Sequence, residues 1–267
     1  MESQNWAERF ADQVRRLPLL VLLLLLSGVI AATGTVVGAA DCLWKGYDDH
    51  FRWREHEYER ISELRAGINV ERYTELLGSP LFVRKNTDGS LTESSFKRRG
   101  YWVQTVHDDT GTVLLFSLTA CDRDFQPTFL VARAWKVTLN RESLSYVPAT
   151  PARIQYQWLT NTGNRNFWDE YYLGNPGFYK TYYVGIDDAC ASADSNIEPL
   201  EKYELFYSPT PMEYFEHPGI QEFRSSSVPN TYGEIAPFVS GGHPLDVDRA
   251  LSSFQMGVDR ILIRTVP

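Results

Sequence analysis

The chain has 267 residues, of which 43 % are hydrophobic, 13 % aromatic and 22 % charged, with a formal net charge of −8. An acidic chain without a basic tract argues against nucleic acid and against flat binding to anionic lipid, and its aromatic content argues against disorder. Three cysteines, Cys42, Cys121 and Cys190, show no C-x-x-C or Cys/His ligand spacing, which argues against a zinc site.

Met1–Arg16 reads as a short amphipathic helix with Trp6, Phe10 and Val14 on one face. Leu17–Ala40 follows without a charged residue. As a helix its 24 residues reach about 36 Å, so it is expected to be a transmembrane helix. Its apolar part exceeds the ~7–15 residues of a signal-peptide core, so an uncleaved anchor is expected, although Gly38-Ala39-Ala40 imitates a cleavage site. Arg15 and Arg16 before the span favour an N-terminus in the cytoplasm and the following domain outside the cell membrane, against Lys45, Arg52 and Arg54 soon after it. Gly34 and Gly38 form a G-x-x-x-G pattern that lets helix backbones approach closely, which makes them candidates for homodimerisation.

Residues 41–66 read as one juxtamembrane helix, because Trp44, Tyr47, Phe51, Tyr58 and Ile61 recur at helical spacing. His50 and His56 lie on different faces of it and cannot share a metal. Residues 67–147 read as a helix-plus-meander module. Gly67 breaks the first helix. Asn69 caps a second over Val70–Leu77, which Gly78 and Pro80 stop. Extended segments are expected at Leu81–Lys85, Gly100–His107, Val113–Ala120 and Thr128–Thr138. The Asp109-Thr110-Gly111 turn between two alternating runs predicts a hairpin.

Residues 148–267 read as a second α+β half packed on the first, with Arg141–Pro151 as the linker. A helix end is expected at WDEYYLG (168–174), a turn at Asn175-Pro176-Gly177, and a strand at FYKTYYVGI (178–186). Leu77-Gly78-Ser79-Pro80 and Leu173-Gly174-Asn175-Pro176 echo each other as two copies of one module would. Asp187–Glu198 reads as a solvated acidic loop, since its carboxylates fit no Ca²⁺ loop. Further expectations are a strand at Leu200–Ser208, proline-studded loops over Pro209–Pro244, a short helix over Leu245–Gly257 and a last strand over Asp259–Val266. The fold class expected is therefore α+β: an N-terminal transmembrane helix, an extramembrane helix, then mainly antiparallel sheet.

The sequence holds no nucleophile elbow, P-loop or dinucleotide fingerprint, so no catalytic, cofactor-binding or metal-binding residue is assigned and no cofactor is expected. Ser240-Gly-Gly-His243 is no triad, and His107 and His217 stand alone. In an extracytoplasmic domain Cys121 and Cys190 are the disulfide candidates, which leaves Cys42 free or open to an intermolecular bond or acylation. The aromatic band Tyr171–Tyr183 reads as core.

The helix ending Glu75-Leu-Leu-Gly78-Ser-Pro80 and the aromatic strands after it resemble the helix-then-meander modules of bacterial outer-membrane-assembly lipoproteins and β-lactamase inhibitor proteins. That resemblance covers about 50 residues, Asn69–Ala120, and implies protein binding. NVERYTELLGSPLFVRK and YYLGNPGFYKTYYVGIDDA resemble a family of uncharacterised bacterial single-pass membrane-anchored proteins, which implies architecture but no activity.

Three functions fit these residues. One is a non-enzymatic extracytoplasmic domain that binds a protein or envelope component. Another is an enzyme with an unfamiliar site among Glu213, Glu216, His217, Glu222 and His243 in the Pro209–Pro244 loops. The last is a sensor or assembly component signalling through helix dimerisation. The missing catalytic motifs favour the first.

Overall fold

The structure is a computed structural model that describes residues 52–147, 151, 153–159, 164–174, 179–190, 218–236, 254 and 256–257. The chain divides into two compact units between Glu57 and Tyr58. Of the first unit the described residues are 52–57, which open helix α1 (Trp53–Ser62), with Arg52 Nε donating to Glu55 at 2.7 Å.

In the second unit, α2 (Val70–Leu77) leads into an antiparallel meander: β1 (Phe82–Lys85), β2 (Thr92–Arg98), β3 (Tyr101–His107) and β4 (Val113–Ala120). Asn69 caps α2 by accepting the Glu71 N–H at 2.8 Å, and Gly78 ends it with φ +86°. A small hairpin follows, β5 (Thr128–Val131) and β6 (Trp135–Thr138). A second meander comprises β7 (Arg153–Leu159), β8 (Asn164–Leu173) and β9 (Lys180–Asp187), and helix α3 (Pro218–Ser226) precedes β10 (Thr231–Ile235).

The sheet order is β1-β2-β3-β4-β10-β9-β8-β7, antiparallel throughout. β10 is thus the seam between the meanders. Its register is held by Asn230, whose side chain accepts from the Asp187 N–H and donates to the Asp187 carbonyl, both at 2.8 Å. That side chain does for Asp187 what a further strand residue would do.

The two faces of the sheet are covered differently. On one, α2, the β5–β6 hairpin and α3 pack aromatic rings onto the strands. Tyr73 of α2 lies 5.8 Å from Phe116, Phe125 stacks on Tyr101 at 4.7 Å, Phe129 stacks on Tyr232 at 4.2 Å, and Phe223 of α3 meets Phe167 edge-on at 4.8 Å. Offset and edge-on ring pairs add to the burial of large apolar area. The other face carries Val106, Leu115, Trp168 and Tyr183, packed with Phe254 and Met256. Gly185 and Gly233 make that closeness possible. A Cβ on Gly233 would meet Met256 Sδ at 2.9 Å, and one on Gly185 would meet the Trp168 ring at 2.6 Å.

The structure corrects the expected fold class. The described part is mainly antiparallel sheet with a few short helices, and among the described residues no helix is long and apolar enough to cross a membrane. The segment Leu17–Ala40, with Gly34 and Gly38, lies outside the described residues, as do Cys42 and the start of the helix expected over 41–66. That helix stops at Ser62, four residues early. The WDEYYLG stretch is strand β8, not a helix end. Consequently the Leu-Gly-x-Pro echo is not a structural repeat, because Leu77 ends a helix and Leu173 ends a strand.

Thr128–Thr138 is a hairpin rather than one extended run. Ala132 and Arg133 turn it with φ +49° and +60°, and Ala134 N–H closes the turn on Val131 at 2.8 Å. Residues 141–147 do not behave as a linker either: Leu144 is fully buried, and its N–H donates to Ser227 at 2.9 Å. Strands β2 and β7 went unread in the sequence. The loop-rich Pro209–Pro244 stretch contains α3 and the seam strand β10. The segments Leu200–Ser208 and Asp259–Val266, and all of Leu245–Gly257 but Phe254, Met256 and Gly257, lie outside the described residues.

Candidate interaction surface

Cys121, just past β4, and Cys190, in the short 3₁₀ turn after β9, form a disulfide with Cα atoms 4.8 Å apart and a sequence separation of 69. It pins the exit of the first meander to the exit of the second, beside the Phe82–Trp102 stack at 6.3 Å. The preceding Asp187 and Asp188 are buried rather than solvated. Asp187 Oδ1 accepts the Ala189 N–H at 2.9 Å and so starts that turn, whereas Asp194 and Glu198 lie outside the described residues.

Three polar clusters sit within the unit. In the first meander a relay crosses four strands. Arg84 Nε donates to Glu93 at 2.7 Å, Gln104 Nε2 donates to Glu93 at 2.5 Å, and Ser117 Oγ and the Gly257 N–H both donate to Gln104 Oε1 at 3.0 Å. Each step links neighbouring strands, which satisfies side chains buried under the far C-terminal residues.

The second cluster lies on the seam. Glu234 accepts from the Ala66 N–H at 3.2 Å, from Lys180 Nζ at 3.2 Å and from Tyr232 Oη at 2.8 Å, while Lys180 Nζ also donates to the Ala66 carbonyl at 3.0 Å. Carboxylate and ammonium thus clamp both backbone polar groups of one residue, Ala66. Burial, and then the Glu234 charge, pushes the Tyr73 and Tyr232 phenols well above their usual value.

The third cluster is a buried ion pair. Arg224 of α3 donates through Nη1 to Asp169 Oδ2 and through Nη2 to the Leu144 carbonyl at 2.9 Å, and Tyr171 Oη donates to Asp169 Oδ2 at 3.1 Å. Burial raises the Asp169 carboxyl, and the opposing pull of Arg224 does not fully offset it. Asp169 Oδ1 is buried without a hydrogen-bond partner among the described residues; the other groups are bonded to one another and to backbone, so the three clusters act as fastenings between segments of the fold. Among the described residues no group of three or more His, Cys, Asp or Glu could hold a metal.

Of the residues named for an enzyme site, Glu222 is exposed on α3, and Glu213, Glu216, His217, Ser240 and His243 lie outside the described residues. His107 Nδ1 lies 3.0 Å from the Asp108 carbonyl at the end of β3.

The surface differs from the interior in one telling place. Tyr171, Tyr182 and Tyr183 of the aromatic band are core, but Tyr172 is 60 % exposed and Tyr179 37 % exposed, and their rings stack at 5.0 Å. Tyr172 lies beyond the last β7 pairing at Glu170, so among the described residues no third strand flanks it. Alternation along β8 puts Tyr172 on the Trp168 face but at the end of the strand, and Tyr179 lies just before β9.

These features define an antiparallel-sheet domain stapled by one disulfide, with an exposed aromatic pair. No family model matches the chain, and no curated protein matches it. Among solved structures it is similar to a cysteine-rich secretory protein from Staphylococcus aureus subsp. aureus Mu50, at 8 % identity and a TM-score of 0.34, over 64 % of this chain. The match spans 43 % of that protein's chain, less than half its length, and carries no inference about this one.

Proposed function

We propose that this chain provides an extracytoplasmic binding domain that engages a protein or envelope component and does no chemistry of its own. The observation that carries the reading is the stacked, exposed Tyr172–Tyr179 pair. Every other large aromatic of this band among the described residues is spent on the core. Tyrosine supplies large contact area with little side-chain entropy to lose, and it recurs at binding hot spots. The Cys121–Cys190 disulfide supports an oxidising compartment outside the cytoplasm. The polar clusters support a non-catalytic role, because their charges are consumed by structural hydrogen bonds.

The test uses the full chain in its host cells, with a photoreactive residue replacing Tyr172. A discrete protein or envelope adduct that disappears when Tyr179→Ala is added supports the reading. Diffuse labelling that is indifferent to Tyr179→Ala overturns it. Thiol labelling of Cys121 and Cys190 in intact cells, with and without reductant, tests the compartment. Labelling only after reduction is expected, and labelling only after lysis would place the domain in the cytoplasm.

A further inference from the structure

Strand β1 is an edge of the eight-stranded sheet, and among the described strands none pairs with its outer side. In an antiparallel sheet alternate backbone N–H and C=O groups of an edge strand point away from its neighbour, ready to pair with another chain. Leu81 is 47 % exposed and Val83 59 % exposed on this edge, while Arg84 and Lys85 occupy its end. β1 and β2 carry four basic residues (Arg84, Lys85, Lys97, Arg98) and one acidic residue, Glu93, which is paired with Arg84, in a chain whose net charge is −8. Lys97 lies over Trp102 at 5.9 Å and Arg84 over Phe254 at 5.4 Å, so ring contacts hold two of these basic side chains on the sheet.

We infer that β1 is a docking edge for an extended, acidic-then-apolar segment of another protein, which adds to the sheet as an antiparallel ninth strand. Register sets the order of the partner's residues. Its acidic residues lie opposite Lys85 and Arg84, and its apolar residues opposite Val83, Phe82 and Leu81. Main-chain bonds provide the pairing and side chains the selectivity, as in β-strand addition generally. A second copy of this chain is the poorer occupant. Antiparallel pairing of two β1 strands sets Val83 opposite Arg84 and Phe82 opposite Lys85, so four cations gather in one short ribbon and neither strand offers an acidic residue to pair with them. This edge lies apart from the tyrosine pair and does not depend on it.

The experiment mixes the full chain with a fluorescent peptide containing Glu-Glu-Val-Ile-Val, and with a control in which Lys-Lys replaces Glu-Glu. Anisotropy reads binding, and hydrogen exchange locates it. The acidic peptide is expected to bind, more weakly at high salt, with exchange protection at residues 81–85. Lys85→Glu weakens it roughly fivefold and improves the control peptide, while Tyr172→Ala with Tyr179→Ala changes neither. Circular dichroism of Lys85→Glu checks that it is folded. Equal binding of both peptides, protection elsewhere than β1, or self-association through β1 detected by sedimentation would overturn the inference. The tyrosine cross-linking result would stand regardless.

Discussion

The two meanders solve one problem, burying polar residues on a covered sheet, in opposite ways. β1–β4 places its polar groups on the face under Phe254 and Met256, where Glu93, Gln104 and Ser117 pass hydrogen bonds from strand to strand. β8 places Asp169 on the helix-covered face and answers it with Arg224, 55 residues further along the chain. The first arrangement runs between strands adjacent in sequence, with the Arg84–Glu93 pair at its outer end and the distant Gly257 N–H joining at Gln104. The second is a charged pair whose halves meet only when the fold is complete. A relay of several bonds loses one bond at a time. A buried ion pair fails abruptly, because removing one partner strands the other charge.

That contrast can be broken most sharply at Arg224. Arg224→Met leaves the buried Asp169 carboxylate uncompensated and should reduce unfolding free energy by about 3–5 kcal/mol in a denaturant titration. The loss should shrink on acidification. Burial raises the folded-state pKa of Asp169, so its favourable contribution is complete below the unfolded value and lost as pH rises through the folded one. A deficit that stays constant across that range would mean the pair is not the fastening described.

Replacing both Cys121 and Cys190 by Ser releases the staple between the meanders and should lower stability by roughly 2–4 kcal/mol under oxidising conditions. The wild type in reductant should fall to the same midpoint. Gln104→Leu breaks the relay at its middle. It removes the partner of Glu93, Ser117 and the Gly257 N–H, and a loss of about 1–3 kcal/mol is expected by thermal melting. If Gln104→Leu were as damaging as Arg224→Met, the distinction between the two meanders would collapse.

A smaller effect sharpens the comparison at the seam. Tyr73 and Tyr232 have raised folded-state pKa values, caused first by burial and then by Glu234. Their contribution to stability is complete below the ordinary phenol value and lost as pH climbs above it toward the folded values. Tyrosinate absorbance from these rings should therefore appear together with alkaline unfolding and not before it. The smallest expected effect is in the β1–β2 turn. Ser90 hydrogen bonds hold the exposed Asp88 carboxyl below its usual value, so Asp88→Ala should cost a little stability at neutral pH. The difference should vanish as pH falls through the depressed pKa.

The difference between the meanders also explains what could be read in advance. Strands β3 and β4 were legible because a tight Asp-Thr-Gly turn separates two alternating runs, and α2 because Asn69 and Gly78 mark its ends chemically. β8 was misread because aromatics occupy both of its faces: Phe167 and Tyr171 on one, Trp168 and Tyr172 on the other. Period-two alternation of hydrophobicity is absent where a strand is covered on both sides. β2, TESSFKR, was missed for a related reason. Glu93, Ser94 and Ser95 are buried, and Glu93 is bonded from the strands on either side by Arg84 and Gln104, so polarity there did not mean exposure. The stacked tyrosine pair was hidden within a band that reads as uniformly aromatic.

By itself the sequence determined the local elements whose instructions are local: the capped helix Val70–Leu77 and the β3–β4 hairpin. Only the tertiary structure decided that β10 lies between the two meanders, that Asp169 is tolerable in the core, and that Tyr172 and Tyr179 stay outside it. The physical reason is range. Caps and turns are set by backbone groups a few residues apart. A seam strand, a buried ion pair and an exposed ring depend on which distant segments arrive to cover each face of the sheet.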